Sequence, residues 1–218
     1  MQDLSSDRAR ALALTPVSRE TATRLDQFAA LLLRWQETTN LIAPSTVPNL
    51  WTRHIADSLQ LIDLAPEAKV WVDLGSGAGF PGLVIACALY GKAGRIVHLV
   101  ESNTKKAAFL RAAVTATGAP ALVHAQRMEK FVDSFVGKAD IVTARAVSPL
   151  RLLLGECAPL LRKGALGLFP KGQDVEAELT EASKCWNITA DLVLSRTDPK
   201  GRIVVIRALE PRPHHHTS

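Results

Sequence analysis

Residues 73–82 read DLGSGAGFPG and directly follow the apolar run Lys69-Val-Trp-Val72. A buried strand therefore runs into a tight glycine bend. The bend opens a helix at Pro81, a residue favoured at the first helical position because its missing N–H would have no partner there. Glycines at 75, 77 and 79 remove side chains where a backbone must approach a ligand closely. The dinucleotide fingerprint G-x-G-x-x-G needs a third glycine three places after the second, and Phe80 stands there instead. The spacing is Asp-x-Gly-x-Gly-x-Gly, with the acid Asp73 ahead of the bend. An acid at a strand tip repels pyrophosphate and suits a cationic ligand, which points to S-adenosylmethionine rather than NAD. A plain glycine-rich connection is the competing reading, but alternate glycines are costly unless a close approach requires them.

Outward from this stretch, strand and helix signals alternate. Strands are expected near 69–74, 95–101, 121–126, 140–145, 165–170, 190–196 and 202–209, and helices near 81–90, 103–117, 148–162 and 173–184. Such alternation implies β-α-β units and a mostly parallel sheet covered on both faces. Only Thr197 to Gly201 separates the last two strands, so they should pair as an antiparallel hairpin at one edge. Ahead of the bend, Leu25, Phe28, Leu32 and Trp35 mark an amphipathic helix over 18–38, and Trp51, Ile55, Leu59 and Ile62 mark a second over about 49–63. The expected fold is α/β: the Rossmann-like, class I S-adenosylmethionine-dependent methyltransferase layout, a mostly parallel seven-stranded sheet with an N-terminal helical cap. The expected organisation is one domain over 1–218, with a cap at about 18–65, a core at about 66–209 and a flexible tail at 210–218.

Composition narrows the class. The chain has 218 residues and is 47% hydrophobic, enough for a real core. No apolar run reaches the roughly 18–20 residues of a membrane span, and MQDLSSDRAR lacks the apolar region of a secretory signal. A cytoplasmic protein, monomeric by default, is expected. Cys87, Cys157 and Cys185 form neither a disulfide framework nor a metal motif, so buried free thiols and no metal are expected. The net charge is +5. Arg196, Lys200, Arg202, Arg207 and Arg212 outnumber Asp198 and Glu210, and Arg151, Arg162, Lys163 and Lys171 outnumber Glu156. These clusters fit a phosphate backbone and a solvated surface equally. The histidines at 214–216 receive no role.

Ligands of open α/β sheets bind beyond the carboxyl ends of the strands, which ranks the candidates. Gly75, Ser76, Gly77, Gly79 and Phe80 follow the first strand, with Gly75 and Phe80 expected to line the pocket. Glu101 ends the second and can accept from both hydroxyls of an adenosyl ribose; a helix-start acid is the alternative. After the third strand, Met128 can pack on adenine and Glu129 can accept from its amine, or the pair can lie on a solvated surface. Arg145 ends the fourth strand, where it can hold an acidic group or stack on a base. Lys171 ends the fifth as a phosphate contact or a plain surface lysine. The segment after Arg145 reads Ala-Val-Ser-Pro and lacks the acceptor typical of enzymes that methylate exocyclic amines. Arg53, His54 and Asp57 fall within one helical turn and suit a polar patch that seals the pocket or orients substrate, whereas one helix cannot aim Ser58, His54 and Asp57 at one carbonyl.

Together these residues resemble one family, the bacterial 16S ribosomal RNA methyltransferases called RsmG or GidB. The resemblance covers about residues 20–209 and rests on Trp35 through Asn40-Leu41, Arg53-His54-Ile-x-Asp57-Ser58, the 73–82 bend, Arg127-Met-Glu129, Arg145-Ala146 and Lys171-Gly172. It implies methyl transfer from S-adenosylmethionine to N7 of a guanine in the 530 loop of 16S rRNA, within the small subunit or its precursor. It implies cofactor positions at Gly75, Phe80, Met128, Glu129 and Arg145, with Glu101 at the ribose. The first fifteen or so residues and the histidine-bearing tail depart from the pattern and inherit no function. A methyltransferase acting on a small molecule or protein, and a non-catalytic adenosyl-binding module, are the competing readings.

Overall fold

A computed structural model describes residues 4–212. Helices α1 (Ser5–Leu14) and α2 (Arg19–Gln36) come first. The stretch expected to form one helix at 49–63 is instead a 3-10 turn at Pro44–Asn49, a wider π-helix at Trp51–Ala56, a short α3 (Asp57–Leu59) and a 3-10 turn at Ile62–Leu64. The remaining elements are β1 (Val70–Leu74), α4 (Gly82–Leu89), β2 (Ile96–Val100), α5 (Thr104–Thr117), β3 (Ala121–His124), α6 (Met128–Ser134), β4 (Ile141–Thr143), α7 (Leu150–Arg162), β5 (Leu166–Lys171), α8 (Val175–Ala182), β6 (Trp186–Leu194) and β7 (Arg202–Pro211).

The seven strands form one sheet in the order β3-β2-β1-β4-β5-β7-β6. Strands β1 to β5 run parallel, and β7 lies antiparallel to both β5 and β6. The order reverses at β1, with β2 on one side and β4 on the other, so the connections leaving β1 and β4 diverge and open a crevice between them. Side-chain alternation splits the core. Trp71 and Leu99 pack with Phe28 of α2 and Phe109 of α5 on one face; Val72, Leu74, Val100 and Val142 pack with Leu154 of α7 on the other. The helical cap is thus continuous with the first of these layers.

Departures from the sequence reading are local. α1 and α6 were not expected; β4 stops short, at Thr143; and β6 begins four residues early, at Trp186. Pro81 is the cap residue of α4, and Gly82 is its first helical residue. β7 runs through Pro211, inside the tail expected from 210; the histidines at 214–216 and the rest of that stretch lie outside the described residues. Cys87 and Cys157 are buried free thiols, their pKa pushed up to about 12 by burial, while Cys185 is only half-buried.

Candidate active site

The glycine bend is built by backbone conformation. Gly75, Gly77 and Gly79 have φ of 69°, 55° and 91°, a region side-chain-bearing residues avoid. A Cβ on Gly75 would stand 2.6 Å from a methyl of Val147. The bend is closed by Ser76, whose Oγ donates to the carbonyl of Asp73 at 3.0 Å. Glu101 ties it to the next strand: one carboxylate oxygen accepts from the Gly77 N–H at 2.8 Å and the other from the Asn103 N–H at 2.7 Å.

This bend forms one wall of a cavity of about 410 Å³. Gly75, Ser76, Gly77, Phe80, Glu101, Met128 and Arg145 all line it. Gly79, Glu129 and Asp73 do not. Gly79 faces Leu83 and Phe28, and Glu129 is exposed in the first turn of α6. Asp73 is the instructive departure. Alternation along β1 puts it on the Trp71 face, beneath the bend rather than at its mouth, fully buried. Its Oδ2 accepts from the Gly82 N–H at 3.1 Å, and a Cβ on Gly82 would stand 2.5 Å from that oxygen. Burial pushes its pKa up to about 7, against the Gly82 hydrogen bond and the charge of Arg145. Asp73 therefore braces α4 under the bend.

Arg145 lies where the expected crevice opens, in a knot with the π-helix. Its Nη1 donates to the carbonyl of Arg53 at 3.1 Å and faces Asp57 at 3.4 Å, while Nη2 stands 2.6 Å from His54 Nδ1. Burial pulls its pKa down, and the carboxylates of Asp57 and Asp73 oppose that pull. The guanidinium lies 5.2 Å from the Phe80 ring centroid, and His54 stacks on the same ring at 4.9 Å and 28°. Phe28 of α2 supports Phe80 edge-on at 5.4 Å. Beyond Arg145, Ala146 has φ 54°, the only non-glycine residue with a positive φ among the described residues.

A second, larger cavity of about 990 Å³ also reaches this knot. His54, Arg145, Ala146 and Val147 line both cavities. Arg53, Asp57, Lys171 and Arg202 line the second. Lys171 is not a free cation: it donates to Glu178 at 2.8 Å and to the carbonyl of Ser148 at 3.1 Å. The basic hairpin is also partnered. Arg196 pairs with Asp63 and Arg207 with Asp191, both largely exposed, and such pairs contribute little and exchange readily. Its turn is latched to the π-helix region, with Thr197 donating to Asp57 at 2.8 Å and Gln60 accepting from the Arg196 N–H at 2.9 Å. His54 is the residue whose weight the sequence left undecided; the i,i+3 patch it forms with Asp57 was the available signal.

The arrangement suits one small polar ligand in the first cavity and a larger one in the second, with a cation and an aromatic ring at the boundary. The family profile described as "rRNA small subunit methyltransferase G" matches residues 21–208. A ribosomal RNA small subunit methyltransferase G of Bradyrhizobium sp. strain BTAi1 is 60% identical over 207 residues, covering 95% of this chain and 93% of the relative. That of Rhodopseudomonas palustris strain BisB18 is 58% identical over 210 residues, covering 96% and 90%. Among solved structures, an O-methyltransferase from Bacillus cereus in complex with SAH superposes with a TM-score of 0.60 at 11% identity, covering 94% of this chain and 100% of that one. The O-methyltransferase TomG from Streptomyces achromogenes, in complex with SAM, gives 0.59 at 11% identity over 95% and 100%. At such identity these two structures speak to the fold alone.

Proposed function

The chain belongs to the family of rRNA small subunit methyltransferase G, and from that premise we propose that it methylates N7 of a guanine in the 530 loop of 16S rRNA. We read it as a cytoplasmic monomer that acts on the small subunit or its precursor. S-adenosylmethionine is the donor, and the first cavity fits it. Its volume lies within the range of small-molecule sites, the bend presents backbone without side chains, and each oxygen of Glu101 retains a lone pair beyond its one backbone hydrogen bond. In this reading Glu101 takes the ribose hydroxyls, Met128 packs on the adenine, and Gly75, Gly77 and Phe80 line the methionine end.

Bound S-adenosylmethionine supplies a methyl group already activated on a sulfonium. Guanine N7 carries a lone pair and no proton, so its methylation requires no general base. The groups beside Arg145 match that demand. His54 has both ring nitrogens engaged, with Arg145 and with Thr46 at 3.0 Å. Asp57 is held by Arg145, Gln60 and Thr197. This lack of a poised proton acceptor at the boundary is the observation that carries the N7 reading. What the residues supply is alignment, which is worth roughly 7–11 kcal/mol of barrier when reactants are held in line. Arg145 orients the guanine nucleotide from the boundary, and the second cavity with its basic rim takes the RNA.

The test is to incubate the protein with unmethylated small subunits and S-adenosylmethionine and to map N7-methylguanosine by strand cleavage at the modified base. Cleavage in the 530 loop is expected. Methyl incorporation at another atom or another loop overturns the reading.

A further inference from the structure

α1 precedes the residues matched by the family profile, yet it grips the element that carries His54. Asp7 on α1 is 4% exposed. Its Oδ2 accepts from the backbone N–H of Trp51 at 2.8 Å and of Thr52 at 3.3 Å. Its Oδ1 accepts from the Thr52 hydroxyl and from Arg10 Nη2, the latter at 2.8 Å. A buried carboxylate is costly unless its lone pairs are filled, and here two of the filling partners are the leading N–H groups of the π-helix, which have no acceptor inside it. α1 is itself pinned elsewhere. Arg8 forms a two-pronged pair with Asp26 of α2 at 2.7 and 2.9 Å, and its guanidinium lies 5.2 Å from the Trp51 ring centroid.

The consequence falls on the next two residues. Arg53 offers its carbonyl to Arg145, and His54 offers its ring to both Phe80 and Arg145. A π-helix is a rare and weakly self-supporting winding, so its rotation about its own axis is decided by what holds its ends. We propose that Asp7 is a positioning residue for methyl transfer: through Trp51 and Thr52 it sets the rotation of the π-helix, and so the placement of His54 against Phe80 and Arg145. This rests on the reading of the Arg145–His54 boundary as the methyl-transfer site.

The experiment uses the full chain with Asp7→Asn, His54→Ala and the double variant, each shown by thermal melting to be folded at the assay temperature. The His54 ring-proton resonance, identified by its loss in His54→Ala, reports placement independently of activity. In the wild type it carries the ring-current shift of the stacked Phe80, and in Asp7→Asn that shift is lost. Turnover on small-subunit RNA falls about tenfold or more in Asp7→Asn, as for a small misplacement of reacting groups. In the His54→Ala background the same change costs less than about twofold, because the two residues act through one contact. Asp7→Glu, which keeps the charge and both oxygens but displaces them, moves the resonance in the same direction and serves if Asp7→Asn does not fold. An unmoved resonance, or losses that multiply in the double variant, overturns the proposal. A moved resonance with wild-type turnover overturns instead the assignment of His54 to the methyl-transfer site, and with it the link from Asp7 to catalysis.

Discussion

His54 Nδ1 lies 2.6 Å from Arg145 Nη2, and the contact decides the charge of the histidine. Arginine has donors and no acceptor, so Nδ1 must accept and the ring proton must sit on Nε2, which donates to Thr46 Oγ1. The ring is neutral. Burial first, and then the positive charges of Arg145 and Arg53, bring its pKa to about 3. A neutral imidazole lying on Phe80 can hold a guanidinium in place without discharging it.

Removing that guanidinium should abolish chemistry far more than folding. Arg145→Ala is expected to lower kcat/KM by about a hundredfold or more, the scale of losing an oriented charged contact in a water-poor site. Asp57 keeps Gln60 and Thr197 as partners, so the fold survives. Methyl incorporation into small-subunit rRNA, with melting as the control, checks this.

A half-buried histidine and a buried aspartate make opposite contributions to stability against pH. His54 has a folded pKa of about 3, below its ordinary 6.5, so the unfolded chain gains a proton first and stability falls as pH drops through that interval. Asp73 has a folded pKa of about 7, above its ordinary 3.8, so stability falls as pH rises through that one. Between about pH 4 and 6.5 the slopes oppose and largely cancel. His54→Gln removes the His54 slope while those of His98 and His124, whose pKa values burial also lowers, remain; relative to the wild type, the unfolding free energy from denaturant titrations should then gain up to about 1.4 kcal/mol per pH unit on acidification. A His54→Gln profile parallel to the wild type would contradict this.

Gly75→Ala should damage the first cavity twice. The left-handed backbone at φ 69° costs an alanine about 1–2 kcal/mol, and the new methyl would press on Val147. Calorimetry should show weaker S-adenosylmethionine binding. Adding Val147→Ala should relieve the clash and recover part of the affinity, while the conformational cost remains.

Glu101→Ala deprives the Gly77 and Asn103 N–H groups of their acceptor, at about 1–3 kcal/mol for each one left buried and unpaired. The dissociation constant for S-adenosylmethionine should rise at least about tenfold. Glu101→Gln should recover little, because its amide nitrogen must then face one of those two N–H donors.

RNA affinity should fall steeply with salt, since phosphate contacts release counterions. Filter binding of small-subunit RNA between low and moderate salt checks this, and a flat response would favour an uncharged acceptor. Lys171→Ala should reduce the slope only slightly, because that cation is already committed to Glu178.

What was legible in the sequence was whatever period and punctuation can carry. Apolar runs around Trp71, Val72 and Leu99 mark buried strands, and the spaced glycines mark the bend. α1 was hidden because its inward face presents Asp7, a charged residue that a hydrophobic pattern assigns to solvent. The π-helix was hidden because Trp51, Ile55 and Leu59 stand four apart, a spacing shared by an α-helix; the wider winding comes from what packs against it. An acid at a strand tip reads as facing the crevice, yet the Asp73 side chain obeys the pleat and points beneath it. His54 could be grouped with Asp57 from spacing, but its partner Arg145 lies 91 residues away in the chain, and no local pattern reports such a pairing.

The two cavities share His54, Arg145, Ala146 and Val147 as lining. Evolution cannot reshape one room without moving the wall of the other. A compound lodged in the first cavity against these residues would leave few escape substitutions, since a change that expels it also deforms the second cavity.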